Sequence, residues 1–515
     1  MSDPIDAHTL KAWLQSPKEL ALLDVREYGQ YGESHLFYAV PLPYSRLELD
    51  IERLVPRLST RIVLYDDGAS EVAALAARRL RTCGYTDVRT LSGGTDAWRS
   101  AGYELYAGVN VPSKAFGELI EHACSTPRIG ATELKAMSER GENLVIVDGR
   151  PFTEYRKMSI PGAICCPNGE LALRIHQIAP DPGTTIVVNC AGRTRSIIGA
   201  QTLRYLGVPN PVAALENGTQ GWFLAGLSLE HDAARRYPDL PHDDEIERLR
   251  RRARNLASRH AVPFVTAMQV QAWLDDESRT AFVFDVRTKE EYEAASIAGA
   301  EHAPGGQLVQ ATDQWIGVRG ARIVVADNEG VRAVTAALWL RKMGHDAYVL
   351  EEGVRATLSK LPRAGSFQLP ELATVAASAL NNDFLIDLRP SMTYRASHAK
   401  AAVWSIRPRI ATTAAGQARV ALVAEEPAVA RAAALDLFET GVKEVFLVSG
   451  DLPSASSPKN PLDADCIDFL FFTHGRHDGN REAAIQYLAW ETNLLRQLDP
   501  AEIAGFRISR ETIAN

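Results

Sequence analysis

TIVVNCAGRTRSIIGAQTLRYLG, residues 185–207, passes from a short apolar strand through a polar loop into a helix that stops at a glycine. A continuous apolar strand of this length suits a sheet covered on both faces. The helix places Ile197, Ala200, Leu203 and Leu206 at helical spacing. The same block occurs three more times: RIVLY (61–65) to RTCG (81–84), RIVVA (322–326) to RKMG (341–344), and RVALV (419–423) to FETG (438–441). Each glycine is followed by another strand, in DVRTLSGG (87–94), PVAALENG (211–218), DAYVLEEG (346–353) and EVFLVSG (444–450).

Upstream of each block lies an apolar strand ending in Asp-x-Arg. These are ALLDVR (Asp24, Arg26), VIVDGR (Asp148, Arg150), FVFDVR (Asp285, Arg287) and LIDLR (Asp387, Arg389). Self-similarity on this scale marks a tandem array. Strands alternating with helices predict α/β domains, each a mainly parallel sheet flanked by helices.

A chain of 515 residues accommodates about three to five domains. With 46% apolar and 23% charged residues, the composition is ordinary for a globular protein and excludes a disordered or fibrous one. The formal net charge of −8 gives no basic footprint for nucleic acid, so an anionic ligand must be held by local positive groups. The opening MSDPIDAHTLKAW is acidic where a leader would be basic, and no apolar run reaches the ~20 residues that span a bilayer. A soluble cytoplasmic chain with no membrane partner is the expectation.

Six cysteines are present, with no CxxC pair, so neither a structural zinc nor a disulfide framework is expected. One thiol stands apart. Counting back 17 residues from the glycine that ends each helix reaches Cys190 from Gly207, Asp67 from Gly84, Asp327 from Gly344 and Ala424 from Gly441. The thiol opens the loop Cys190-Ala191-Gly192-Arg193-Thr194-Arg195, with the helix starting near Ser196. A strand end faces a pocket, a helix N-terminus offers unpaired N–H groups and its dipole, and Arg193 and Arg195 add positive charge. Together these are expected to lower the thiol pKa and to stabilise a thiolate or a persulfide. A structural cysteine in an apolar core is the other reading; two arginines and a glycine-containing turn argue against it.

Asp148 and Arg150 recur in all four repeats, with or without a thiol, which points to a structural ion pair or loop anchor. Cys165 and Cys166 are adjacent and strand-like, without basic neighbours. His474, His477 and Asp478 in THGRHDG read as a surface turn in place of a metal site.

VDGRPFTEYRKMSIPGAICCPNGEL (147–171), VVNCAGRTRSIIGAQTLRYLG (187–207) and LENGTQGW (215–222) resemble the rhodanese family. Ser159 stands where many members carry histidine, a position read as structural. The resemblance implies rhodanese-like domains at 1–110 (no cysteine, inactive), 126–230 (catalytic), 262–362 (inactive) and 367–452 (degenerate, inactive). A charged linker helix at 231–261 and a partly helical C-terminal tail at 453–515 complete the expected organisation.

It further implies a thiosulfate sulfurtransferase with Cys190 as nucleophile and Ala191, Gly192, Arg193, Thr194 and Arg195 binding substrate. Sulfur would move from a small anionic donor to a thiol or cyanide through a Cys190 persulfide, without metal or organic cofactor. A 3-mercaptopyruvate donor and a non-enzymatic sulfur carrier or scaffold are the alternatives. A cysteine phosphatase or arsenate reductase fits less well, because Arg195 falls at Cys-x4-Arg where such loops have Cys-x5-Arg.

Overall fold

The computed structural model describes residues 4–359, 367–380, 383–450, 454–457 and 460–508. The expected boundary of the third repeat at 362 and the expected end of the fourth at 452 lie outside the described residues. Among the described residues there are four five-stranded sheets, each joined in the same order, first-fifth-fourth-second-third along its own repeat. Every strand pair within them is parallel. The fold is therefore four α/β units, as the alternation of strand and helix predicts. A separate antiparallel pair joins His398–Ala399 to Ser454–Ala455.

The chain forms two compact bodies, Met1–Val109 with Arg363–Phe472 and Asn110–Pro362 with Thr473–Asn515. The first and fourth repeats thus belong to one body, and the second and third to the other. The stretch 453–515, read from sequence as one tail, divides between them after Phe472. The linker contains the helix Asp243–Arg259, whose apolar stripe buries Leu249, Ala253, Leu256 and Ala257. Among the described residues no helix is long and apolar enough to cross a membrane.

The Asp-x-Arg motif closes the same ring in every repeat. In the second, Arg150 Nε and its NH2 group donate to the two oxygens of Asp148 at 2.9 and 2.7 Å, and NH2 also donates to the Met158 carbonyl at 2.6 Å. Arg26 does the same with Asp24 and Ser34, Arg287 with Asp285 and Ala295, and Arg389 with Asp387 and Ser397. Each clasp ties the strand end to the residue that closes the next short helix. Burial opposes the charged Arg150 guanidinium, but Asp148 outweighs it and holds the group above its ordinary range.

One register differs from the sequence count. Asp148 pairs with Asn189, Asp285 with Ala326 and Asp387 with Val423, so Cys190, Asp327 and Ala424 are the first residues beyond their strands. In the first repeat Asp24 pairs with Tyr65, which puts Asp66, not Asp67, at the Cys190 position. The helix there begins at Val72, so the intervening loop is longer than in the second repeat and counting back 17 residues from Gly84 stops one residue short of Asp66.

Removing one member of a buried, bidentate pair strands the other charge, which costs about 3–5 kcal/mol. Arg150→Met is expected to destabilise the body containing it by that amount in urea unfolding. Asp148→Asn combined with Arg150→Met should cost clearly less than the two single changes added together.

Candidate functional site

The Thr185–Asn189 strand delivers Cys190 to its carboxyl end, and the Thr194–Leu206 helix departs from the loop that follows. Asn189 is fixed by its side-chain amide, which donates to Asp148 at 2.8 Å. The LENG turn closes over the loop from the other side. Thr219 N–H donates to the Cys190 carbonyl at 2.9 Å and Gln220 N–H to the Ala191 carbonyl at 3.1 Å. A Cβ on Gly218 (φ +55°) would lie 2.3 Å from the Cys190 carbonyl oxygen, so only glycine permits this approach.

Cys190 is 2% exposed. Its thiol donates to Ser196 Oγ at 3.6 Å, and Ser196 in turn donates to the Arg193 carbonyl at 2.7 Å. Among the described residues, the backbone N–H groups of Arg193, Thr194, Arg195 and Ser196 meet no protein acceptor. The third repeat shows what such a loop holds. There Asp327, 1% exposed, turns its carboxylate into its own loop. It accepts the N–H groups of Gly330, Val331, Arg332 and Ala333 at 2.7, 3.0, 2.8 and 3.1 Å. Asp66 fills the first repeat's loop in the same manner, accepting from Gly68 and Ala73. Asp67 instead caps Ala69 and Ser70 in a more exposed turn. The strand-to-helix loop is thus an anion cradle, occupied by a carboxylate in two repeats and left to a thiol in one.

The side chains of the six loop residues diverge. Arg193 leaves the loop for the Val111–Cys124 helix, where Nε and NH2 donate to Glu118 at 2.6 and 2.9 Å and NH2 also meets Glu121. Burial pushes Glu118 up to about 7, against the pull of Arg193. Arg195 donates both terminal nitrogens to Glu154 at 2.8 Å each. Burial opposes its charge, but Glu154 outweighs it, and Cys190 adds to the effect. Thr194 Oγ1 donates to Glu491 Oε1 at 2.8 Å.

Glu491 and Tyr487 come from the C-terminal helix Arg481–Gln497. A Cβ on Gly192 would lie 2.8 Å from Glu491 Oε2 and 2.9 Å from Tyr487 Cε1, so this helix rests directly on the Cys190 loop. Lys114 contacts both Tyr487 OH and Glu491. Burial opposes the Glu491 charge, but Lys114 outweighs it and keeps the carboxyl below its ordinary range.

Cys165 and Cys166 lie in the core of the repeat. Burial pushes Cys165 up to about 12 and Cys166 well above its ordinary value. Asp478 pairs with Lys157 at 2.7 Å, while burial and then Arg476 push His477 down to about 3.

Sequence reading missed Glu118, Glu154, Lys114, Tyr487 and Glu491. Only Glu154 left a readable trace. Glu291 and Arg332 occupy its and Arg195's positions in the third repeat and pair likewise at 2.6 and 2.9 Å. The first and fourth repeats have Gln30 with Glu71 and Thr393 with Val429 at these positions. The pair is therefore present whole or not at all.

A family model for the rhodanese-like domain matches residues 6–101, 130–225 and 266–360. A crystal structure of a thiosulfate sulfurtransferase from Pseudomonas aeruginosa is 40% identical, with 99% of each chain covered and a TM-score of 0.90. A putative sulfur carrier protein of Bacillus subtilis (strain 168) is 29% identical over 140 residues, 25% of this chain and 71% of that protein. An HTH-type transcriptional regulator of Mycobacterium tuberculosis is 35% identical over 106 residues, 20% of this chain and 45% of that protein.

Removing the Asp327 carboxylate leaves four amide donors without an acceptor, and buried unmet donors cost about 1–3 kcal/mol. Asp327→Ala should lower stability to chemical denaturation by that much. Asp67→Ala, in the more exposed turn, should stay within about 0.5 kcal/mol, and Asp66→Ala should exceed it.

Proposed function

We propose, from the premise that this chain belongs to the rhodanese-like domain family, that it is a sulfurtransferase whose sulfur-accepting nucleophile is Cys190. The observation that carries the reading is the contrast between equivalent loops. Asp327 satisfies its cradle with a carboxylate, whereas among the described residues the equivalent N–H groups after Cys190, those of Arg193, Thr194, Arg195 and Ser196, meet no protein acceptor. A persulfide places a negative charge on its terminal sulfur, which is what such donors stabilise.

The reaction is a double displacement. The Cys190 thiolate attacks the outer sulfur of an anionic donor such as thiosulfate. A new S–S bond forms as the donor's S–S bond breaks, and that bond's electron pair leaves with sulfite. A nucleophilic acceptor, cyanide or a thiolate, then attacks the terminal sulfur. The electron pair of the breaking bond returns to Cys190 Sγ. Loop N–H groups and the N-terminal end of the 194–206 helix stabilise charge in both halves. Arg195, locked to Glu154, contributes positive potential and rigidity. Arg193, held by Glu118 and Glu121, braces the loop against the neighbouring helix.

The donor is thiosulfate or a related sulfur-bearing anion such as 3-mercaptopyruvate. The burial of Cys190, 2% exposed, favours a small acceptor over hand-off to another protein, and so favours an enzyme over a sulfur carrier.

Mass spectrometry after thiosulfate treatment should find the mass of one sulfur atom added at Cys190 and none at Cys83, Cys124, Cys165, Cys166 or Cys466. Cys190→Ser should abolish both this adduct and thiocyanate production from thiosulfate and cyanide. A wild-type chain that takes sulfur from neither thiosulfate nor 3-mercaptopyruvate would overturn the reading.

A further inference from the structure

Among the described residues, cationic side chains beside the Cys190 loop are neutralised by carboxylates. Arg193 is held by Glu118 and Glu121, Arg195 by Glu154, and Lys114 by Glu491. A buried cation whose donors are already occupied by a carboxylate has little left for a ligand. Arg476 is the exception. Among the described residues it has no carboxylate partner; one terminal nitrogen donates to the Thr473 carbonyl and hydroxyl at 3.3 and 3.2 Å. Its Nε is buried with no hydrogen-bond partner.

Its place is fixed by stacking. The Arg476 guanidinium lies 4.6 Å from the centroid of the Tyr487 ring, whose edge approaches Gly192. One ring therefore separates it from the loop. His477, next in sequence, feels Arg150 and Glu154, which places this segment beside the Arg195–Glu154 pair. His477 is pushed down to about 3, so it adds no competing cation at neutral pH.

We propose that Arg476 is the specificity-determining residue that recognises the anionic group of the sulfur donor, a sulfonate or carboxylate. This rests on the reading of Cys190 as a sulfur-accepting nucleophile. The recognition element lies in the C-terminal segment beyond 473, outside the three stretches the family model matches. Donor specificity then comes from the part of the chain that repeats nothing else. Planar Arg476, with donors unclaimed by any carboxylate, suits a forked oxyanion, and lysine replaces it poorly.

The test compares alkylation of Cys190 by iodoacetate, an anion, with alkylation by neutral iodoacetamide, in wild type, Arg476→Gln and Arg476→Lys. Arg476→Gln should slow iodoacetate about tenfold, as expected for one lost charge-assisted contact, and leave iodoacetamide within about twofold. Arg476→Lys should fall between. In the transfer assay Arg476→Gln should raise KM for thiosulfate about tenfold or more with kcat little changed.

Equal slowing of both reagents, or of neither, overturns the proposal even if Cys190 still accepts sulfur. Charge discrimination that depends on Arg476 in a chain that transfers no sulfur would keep the anion site and remove the sulfurtransferase reading. Should Arg476→Gln fail to fold, the decision passes to Arg476→Lys: an iodoacetate rate and thiosulfate KM equal to wild type would overturn a role for the fork.

Discussion

The Asp-x-Arg clasp is the constraint on which each repeat depends. A strand that ends in a buried carboxylate needs a buried cation with matched geometry, and the arginine two residues on is already in reach. Arg150 closes on Asp148 and the Met158 carbonyl at once, so the strand end, the turn and the short helix move as one piece. In the second repeat the Asp148 carboxylate also receives the Asn189 amide. Asn189 is the residue before the thiol. The position of Cys190 is thus tied to one buried ion pair, while in the repeats that have no thiol the same pair fastens the strand end to the short helix.

The loop that emerges beyond this clasp has a fixed electrostatic character, because its amide groups converge at a helix N-terminus. What occupies it varies. Asp327 and Asp66 satisfy the amides with their own carboxylates, which removes the capacity to bind an external anion and adds stability. Cys190 does not satisfy them. The second repeat therefore gives up an internal set of hydrogen bonds that the third retains. The surrounding arginines are not a loose positive cloud. Arg193 is clamped by Glu118 and Glu121 and Arg195 by Glu154, while the C-terminal helix presses Tyr487 and Glu491 against Gly192.

Much of this was legible in the chain itself. The four repeats, their parallel sheets and the single thiol at a strand end all follow from short-range pattern, since strand period, helix period and turn chemistry are local properties. The Glu154–Arg195 pair was legible too, through its joint recurrence as Glu291 and Arg332. The first repeat's register was not, because one extra residue between the strand end and the helix-ending glycine shifts a count without altering hydrophobic pattern. Only strand pairing, Asp24 opposite Tyr65, places Asp66 at the cradle.

The sequence by itself determined the repeated α/β architecture, the Asp-x-Arg clasp and the identity of the one loop that carries a thiol, because each is written within a few neighbouring residues. Only the tertiary structure decided which charges around that thiol are already neutralised. Arg193 meets Glu118 across 75 residues and Thr194 meets Glu491 across 297. Contacts over such separations are set by which helix faces pack together, and no local periodicity encodes that choice.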